Sequence, residues 1–146
     1  MPSNKAIYRF TLAFIFTVLA GVLAAPYAKA ADLLAGGWSS HHTSSNEAYN
    51  EKHDTVGLVL DNGLTMATFR NSYNDRANLL GYTHIVKQWE HVRIALTGGI
   101  VTGYRPDPMP YVLPTLSIGA GPVWLDTGLA PTLDGFVITH NLRITF

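Results

Sequence analysis

The chain has 146 residues, ten Lys or Arg against ten Asp or Glu, no cysteine, and only 14% charged residues beside 47% hydrophobic ones. That length bounds it to one domain, and the absence of cysteine excludes disulfide scaffolds, thiolate zinc sites and cysteine nucleophiles, so covalent chemistry falls to Ser, Thr, His or carboxylates. A net charge of zero argues against a nucleic-acid partner, whose binding leaves a basic footprint.

Residues 1–30 read as a signal peptide. Lys5 and Arg9 give a positive start, residues 10–25 are apolar, and Ala28-Lys29-Ala30 supplies the small-x-small pattern of a cleavage site before Ala31. An N-terminal membrane anchor is the competing reading, but the apolar run falls short of the about 20 residues that a spanning helix needs. Cleavage removes Lys5, Arg9 and Lys29, so residues 31–146 keep seven basic against ten acidic side chains.

From residue 31 onward, apolar residues recur at every second position in short segments broken by Gly, Pro, Asn and Asp, the period of a strand with two unlike faces. Eight such segments are expected, at 34–43, 55–60, 64–71, 77–88, 91–103, 111–120, 123–130 and 135–146. In the fifth, Val92, Ile94, Leu96 and Ile100 oppose Arg93, Ala95, Thr97, Gly99 and Val101. In the eighth, Phe136, Ile138, His140, Leu142, Ile144 and Phe146 oppose Val137, Thr139, Asn141, Arg143 and Thr145. Eight is the smallest usual number for a closed barrel, and strands of this length cross a bilayer when tilted. The fold class expected is therefore an all-β, eight-stranded antiparallel transmembrane β-barrel over residues 31–146. A soluble eight-stranded barrel would turn charge outward, whereas the charge-bearing face here holds only Arg93, Asp126 and Arg143, which are assigned to the lumen as a polar plug. The final NLRITF, with apolar residues at alternate positions and an aromatic end, resembles the terminal signature of bacterial outer-membrane proteins.

With both termini periplasmic, the long polar connection from Thr43 to Asp54 falls outside and the tight turns Asp61-Asn62-Gly63 and Gly121-Pro122 fall inside. This polarity gathers Ser39, Ser40, His41 and His42, at the end of the first strand, with Asn71-Ser72-Tyr73, at the end of the third, on one outer rim. A histidine beside a serine can make it a nucleophile, or can deprotonate an acceptor hydroxyl directly. From spacing alone the favoured reading is that these residues are hydrophilic loop punctuation. His53, His84, His91 and His140 are scattered without a metal-ligand spacing, so no metal or other cofactor is expected.

The stretches TFRNSYNDRANLLGY (68–82), Tyr49-Asn50-Glu51 and VLPTLSIGAGPV (112–123) occur in the order found in the PagP family of outer-membrane lipid A palmitoyltransferases, which this chain resembles over most of residues 31–146. The first loop is shorter than the family's, and its N-terminal amphipathic helix has no counterpart here. The resemblance implies a monomeric barrel in the bacterial outer membrane that takes an acyl chain from phospholipid into an internal pocket and transfers it to lipid A. It also implies that Pro110, Pro114, Pro122 and Pro131 interrupt ladder bonding and open lateral access for lipid, although prolines also simply end strands.

By the same resemblance the functional histidine is His41 or His42 and the serine is Ser72, while Asn71 stands where the family has aspartate. Asparagine can orient an imidazole but cannot stabilise its cation; Asp75, Asp54 or Glu51 can supply the missing carboxylate from the loops. Thr83 falls where the family's pocket rests on glycine, and Phe69, Gly99 and Val101 are expected to line the pocket with it. Two classes of function stay open: an acyltransferase, which needs an apolar outer half of the lumen, and a catalytically inactive structural or lipid-binding barrel, which does not.

Overall fold

The period-two patterning closes into one sheet. A computed structural model describes residues 31–44, 47–105 and 107–146, so the expected signal peptide lies outside the described residues. The strands are β1 (Asp32–Thr43), β2 (Val56–Val59), β3 (Leu64–Arg70), β4 (Arg76–Gln88), β5 (Val92–Val101), β6 (Met109–Ala120), β7 (Val123–Thr132) and β8 (Gly135–Thr145). Each pairs antiparallel with its sequence neighbours and β1 pairs with β8, giving a closed eight-stranded antiparallel barrel. The strand limits read from the alternation fall within two residues of these.

The barrel is inverted relative to a water-soluble protein. Leu80, Leu96, Ile100, Val112, Leu116, Ile118, Val123, Leu129 and Leu142 are exposed on its outer wall. Thr65, Thr83, Thr97, Arg93, Ser117, Asp126 and Arg143 are buried inside. At the end that carries the short turns, Gly63 adopts φ +86° and Asn62 Oδ1 accepts the Leu64 N–H, forming the tight turn that Asp61-Asn62-Gly63 favours.

This half of the lumen is filled by charge. Arg143 donates from Nε to Asp126 at 2.7 Å and from Nη1 to Asp32 at 2.8 Å. Arg93 reaches the same Asp32 at 3.3 Å, donates to Gln88, and lies 4.6 Å above the Trp124 ring. Asp32, on β1, is the link that joins Arg93 to the Asp126–Arg143 pair. Two cations facing two anions leave no net charge enclosed, which is the condition for burying them at tolerable cost.

The opposite half is looser. β6 pairs with β5 from Met109 to Ile118, and β7 with β8 along its whole length, yet β6 and β7 pair with each other only from Thr115↔Gly128 to Ala120↔Val123. Beyond that point Met109–Pro114 and Leu129–Thr132 part, leaving a gap in the wall toward the rim. Pro110, Pro114 and Pro131 lie on the parted segments and offer no N–H to bridge them. Pro122 sits instead in the turn at the other end.

Candidate functional site

The site begins with a bulge in β1. Its pairing with β8 shifts register between Ala35 and Trp38, where Gly36 takes the left-handed φ of +61° that glycine adopts without strain. Before the bulge the even residues face inward: Asp32 enters the charge cluster and Leu34 lines the lumen. After it the odd residues do, so Ser39, His41 and Thr43 face inward. Trp38 and His42 are exposed on the outer wall, Trp38 stacked on His140 and His42 on Phe136. Of the two adjacent histidines that the resemblance leaves open, His41 therefore meets the lumen, and His42 is turned away with Ser40 3.4 Å from its Nε2.

The connection from β1 to β2 does not leave the barrel. It runs back along β1, with the Ser39 N–H donating to Glu51 O at 2.9 Å and the His53 N–H to Gly37 O at 3.0 Å. Asn50 fastens it to the next rim connection through its N–H to Ser72 O at 2.8 Å and its side-chain amide to Asn71 O. In this extended segment Tyr49, Glu51 and His53 all point toward β1. Tyr49 stacks on His41 with centroids 4.3 Å apart, Glu51 Oε1 lies 3.9 Å from His41 Nδ1, and His53 Nε2 is 2.8 Å from Ser39 Oγ. His41 Nε2 faces Ser72 Oγ at 2.8 Å.

Asn71 plays a different part from the one its neighbour suggests. It is fully buried; its Oδ1 accepts the N–H groups of Tyr73 and Asp75 at 2.9 Å, and its Nδ2 donates to Gly103 O at 2.6 Å. These bonds hold the turn that presents Ser72, and they engage the Asn71 amide away from the imidazole. Of the three carboxylates that can stand in for an aspartate, Glu51 lies beside His41, whereas Asp54 is held bidentate by Arg76 at 2.9 Å. Placing aspartate at this position, as in the family that the sequence resembles, is therefore expected to harm the fold. Asn71→Asp removes the donor to Gly103 O and sets a carboxylate against a carbonyl, which should cost about 1–3 kcal/mol in urea unfolding of the micelle-folded barrel.

Tyr104, from the β5–β6 connection, stands beside Ser72. Burial pushes the Tyr104 phenol above its ordinary pKa of 10, partly offset by the polar groups of Ser72, so it stays protonated through neutral pH. Tyr73 is also pushed up, first by desolvation and then by neighbouring Tyr49. The three rings of Tyr49, Tyr73 and Tyr104 meet edge to face around the serine, with centroids about 6.0 and 6.2 Å apart.

Beneath this rim lies a cavity of about 1210 Å³, open at its mouth. Val59, Phe69, Leu79, Val101, Leu113 and Val137 make its walls apolar. Its floor is polar: Thr83 Oγ1 bonds Thr65 Oγ1 at 2.6 Å and Thr97 Oγ1 at 2.8 Å, and Asp126 and Arg143 close the other side. Phe69, Val101 and Thr83 thus share one cavity, as their strand positions require. Gly99 is not among the residues that line the cavity, and its backbone packs so close to Leu80 and Gly81 that a Cβ there would have no room. His41, Ser72, Ser39 and His53 all line this cavity. Among the described residues no group of histidines and carboxylates is disposed to hold a metal.

Compared with known proteins, the sequence matches no family model and no curated protein. Sequence reasoning alone left His53 among scattered histidines; the signal that finds it is the two-residue spacing of Tyr49, Glu51 and His53, a strand-like stretch inside a polar connection.

Proposed function

We propose that this protein is an outer-membrane acyltransferase that moves an acyl chain from a phospholipid to lipid A at the outer leaflet. The observation that carries this reading is the His41 Nε2–Ser72 Oγ contact of 2.8 Å at the mouth of an apolar-walled cavity. The apolar outer wall and polar lumen of the barrel support a bilayer setting, since lipid-facing and lumen-facing residues alternate in that way along membrane strands. The expected signal peptide supports export. The gap between β6 and β7 gives a lipid tail a lateral path to the cavity, at the rim half where the serine and histidine lie.

In this reading the acyl chain lies in the cavity with its ester at the mouth. A hydroxyl of the acceptor approaches from the rim, and His41 Nε2 takes its proton as it attacks the ester carbonyl; the bond from the acyl carbon to the ester's alkoxy oxygen breaks, that oxygen leaves protonated as the alcohol, and His41 gives up the proton it took. Glu51, beside Nδ1, stabilises the imidazolium that forms. Ser72, placed by the Asn71 turn, holds the Nε2 edge of His41 until the acceptor hydroxyl displaces it from that lone pair.

Mass spectrometry of lipid A from cells expressing the full chain tests the proposal. An added acyl mass, absent from a control carrying the empty vector, is the expected result. Unaltered lipid A with a folded barrel in the outer membrane overturns it in favour of a structural or lipid-binding barrel.

A further inference from the structure

A second serine–histidine pair opens onto the same cavity, and its tautomer is fixed. His53 Nδ1 lies 2.6 Å from the backbone carbonyl of Arg70, which can only accept, so Nδ1 carries the proton. Nε2 is left with its lone pair toward Ser39 Oγ at 2.8 Å. A neutral imidazole anchored through Nδ1 and accepting from a serine through Nε2 is the arrangement that makes a serine nucleophilic. His41 is less committed, because its Nδ1 has no hydrogen-bond partner and Glu51 stands at 3.9 Å.

Ser39 is also the more enclosed of the two serines. It is 3% exposed, it lies on a β-strand rather than a turn, and its N–H is fixed by Glu51 O. As the inward residue next to His41 on β1, it lies about 6–7 Å further along the tilted strand, which places it about 5 Å deeper in the lumen. An ester whose tail occupies the cavity thus reaches Ser39 before its headgroup clears the rim, while His41 and Ser72 remain at the level of an incoming acceptor.

We infer that Ser39 is the residue that takes the acyl group, with His53 as its base, and that transfer proceeds in two displacements; this rests on the acyltransferase reading above. In the first, Ser39 Oγ attacks the ester carbonyl and its proton passes to His53 Nε2. The bond from the acyl carbon to the glycerol oxygen breaks, and that oxygen takes the proton back from Nε2, leaving lysophospholipid and an acyl ester on Ser39. In the second, the acceptor hydroxyl attacks this ester and gives its proton to His41 Nε2. Ser39 Oγ leaves and takes a proton from water, and His41 returns one to water. Two histidines thereby serve the two half-reactions.

The test uses the full barrel refolded in detergent micelles, its folding verified by heat-dependent migration on gels, with phosphatidylcholine added as acyl donor. Acid-quenched samples of the wild type, Ser39→Ala, His53→Gln, Ser72→Ala and His41→Ala are analysed by intact mass and by peptide mapping. The expected result is a hydroxylamine-labile acyl mass on the peptide containing Ser39, accumulating in His41→Ala and lost in Ser39→Ala and His53→Gln. An adduct on Ser72 overturns the inference. So does acylation of added lipid A by Ser39→Ala at the wild-type rate, an outcome that leaves the acyltransferase reading intact. An adduct on Ser39 without transfer to lipid A keeps the inference and removes the acceptor. If neither adduct nor transfer is seen, both proposals fall.

Discussion

Arg143→Ala is expected to destabilise the barrel by about 3–5 kcal/mol, the cost of leaving one member of a buried ion pair alone. Asp126 is 4% exposed, and its bonded oxygen meets Arg143 from both Nε and Nη2 at 2.7 Å; its other oxygen has no hydrogen-bond partner. Removing the guanidinium therefore strands a carboxylate in the lumen. Arg93→Ala should cost less, because Asp32 keeps Arg143 at 2.8 Å and Asp126 is untouched. The pair Arg143→Met with Asp126→Leu should recover most of the loss, since matched apolar replacement of a buried pair is often neutral. Urea unfolding of the barrel in micelles, followed by tryptophan fluorescence of the adjacent Trp124, measures all three. Equal losses for Arg93→Ala and Arg143→Ala would show that Asp126 has another source of stabilisation.

That cluster also shows how far the sequence can be read. Arg93, Asp126 and Arg143 were legible as lumen residues because each sits out of phase with an apolar alternation in its own strand. Asp32 was not, because it opens its strand beside two leucines, and it is known to be inward only once β1 closes against β8. Strand number and limits follow from local period, which needs no tertiary information. Which of two neighbouring residues faces inward does not, wherever a bulge intervenes. Gly36 and Gly37 are the only trace of the bulge in the chain, and a glycine pair equally suits a turn or a bend. An uninterrupted β1 would continue the even residues inward from Asp32 and Leu34, bringing Trp38 and His42 into the lumen and expelling His41. The folded-back course of residues 47–55 is hidden for a related reason: the bonds that lay it along β1, at Gly36, Gly37 and Ser39, run from backbone to backbone, and backbone groups carry no signature in composition.

The bulge makes the two histidines a controlled pair, and the largest functional effect is expected from separating them. On the proposed acyltransferase function, His41→Ala should lower transfer to lipid A by about 10²–10⁴-fold, the range that a positioned general base contributes. His42→Ala should leave transfer near the wild-type rate, because that ring packs on Phe136 outside the barrel. The two changes remove the same atoms from adjacent residues, so a difference between them reports on facing rather than on composition. Glu51→Gln should fall between them. Its carboxylate is 57% exposed and 3.9 Å from Nδ1, and an exposed pair of this kind contributes at most about 1 kcal/mol, so a loss of about fivefold is expected rather than the about 10⁴-fold of a buried triad acid. Initial rates with purified lipid A and phospholipid in micelles, compared across the three variants, give the order directly. A deficit in His42→Ala as large as that in His41→Ala would mean that the outer wall, not the lumen, holds the reacting groups, and would remove the role assigned to the cavity.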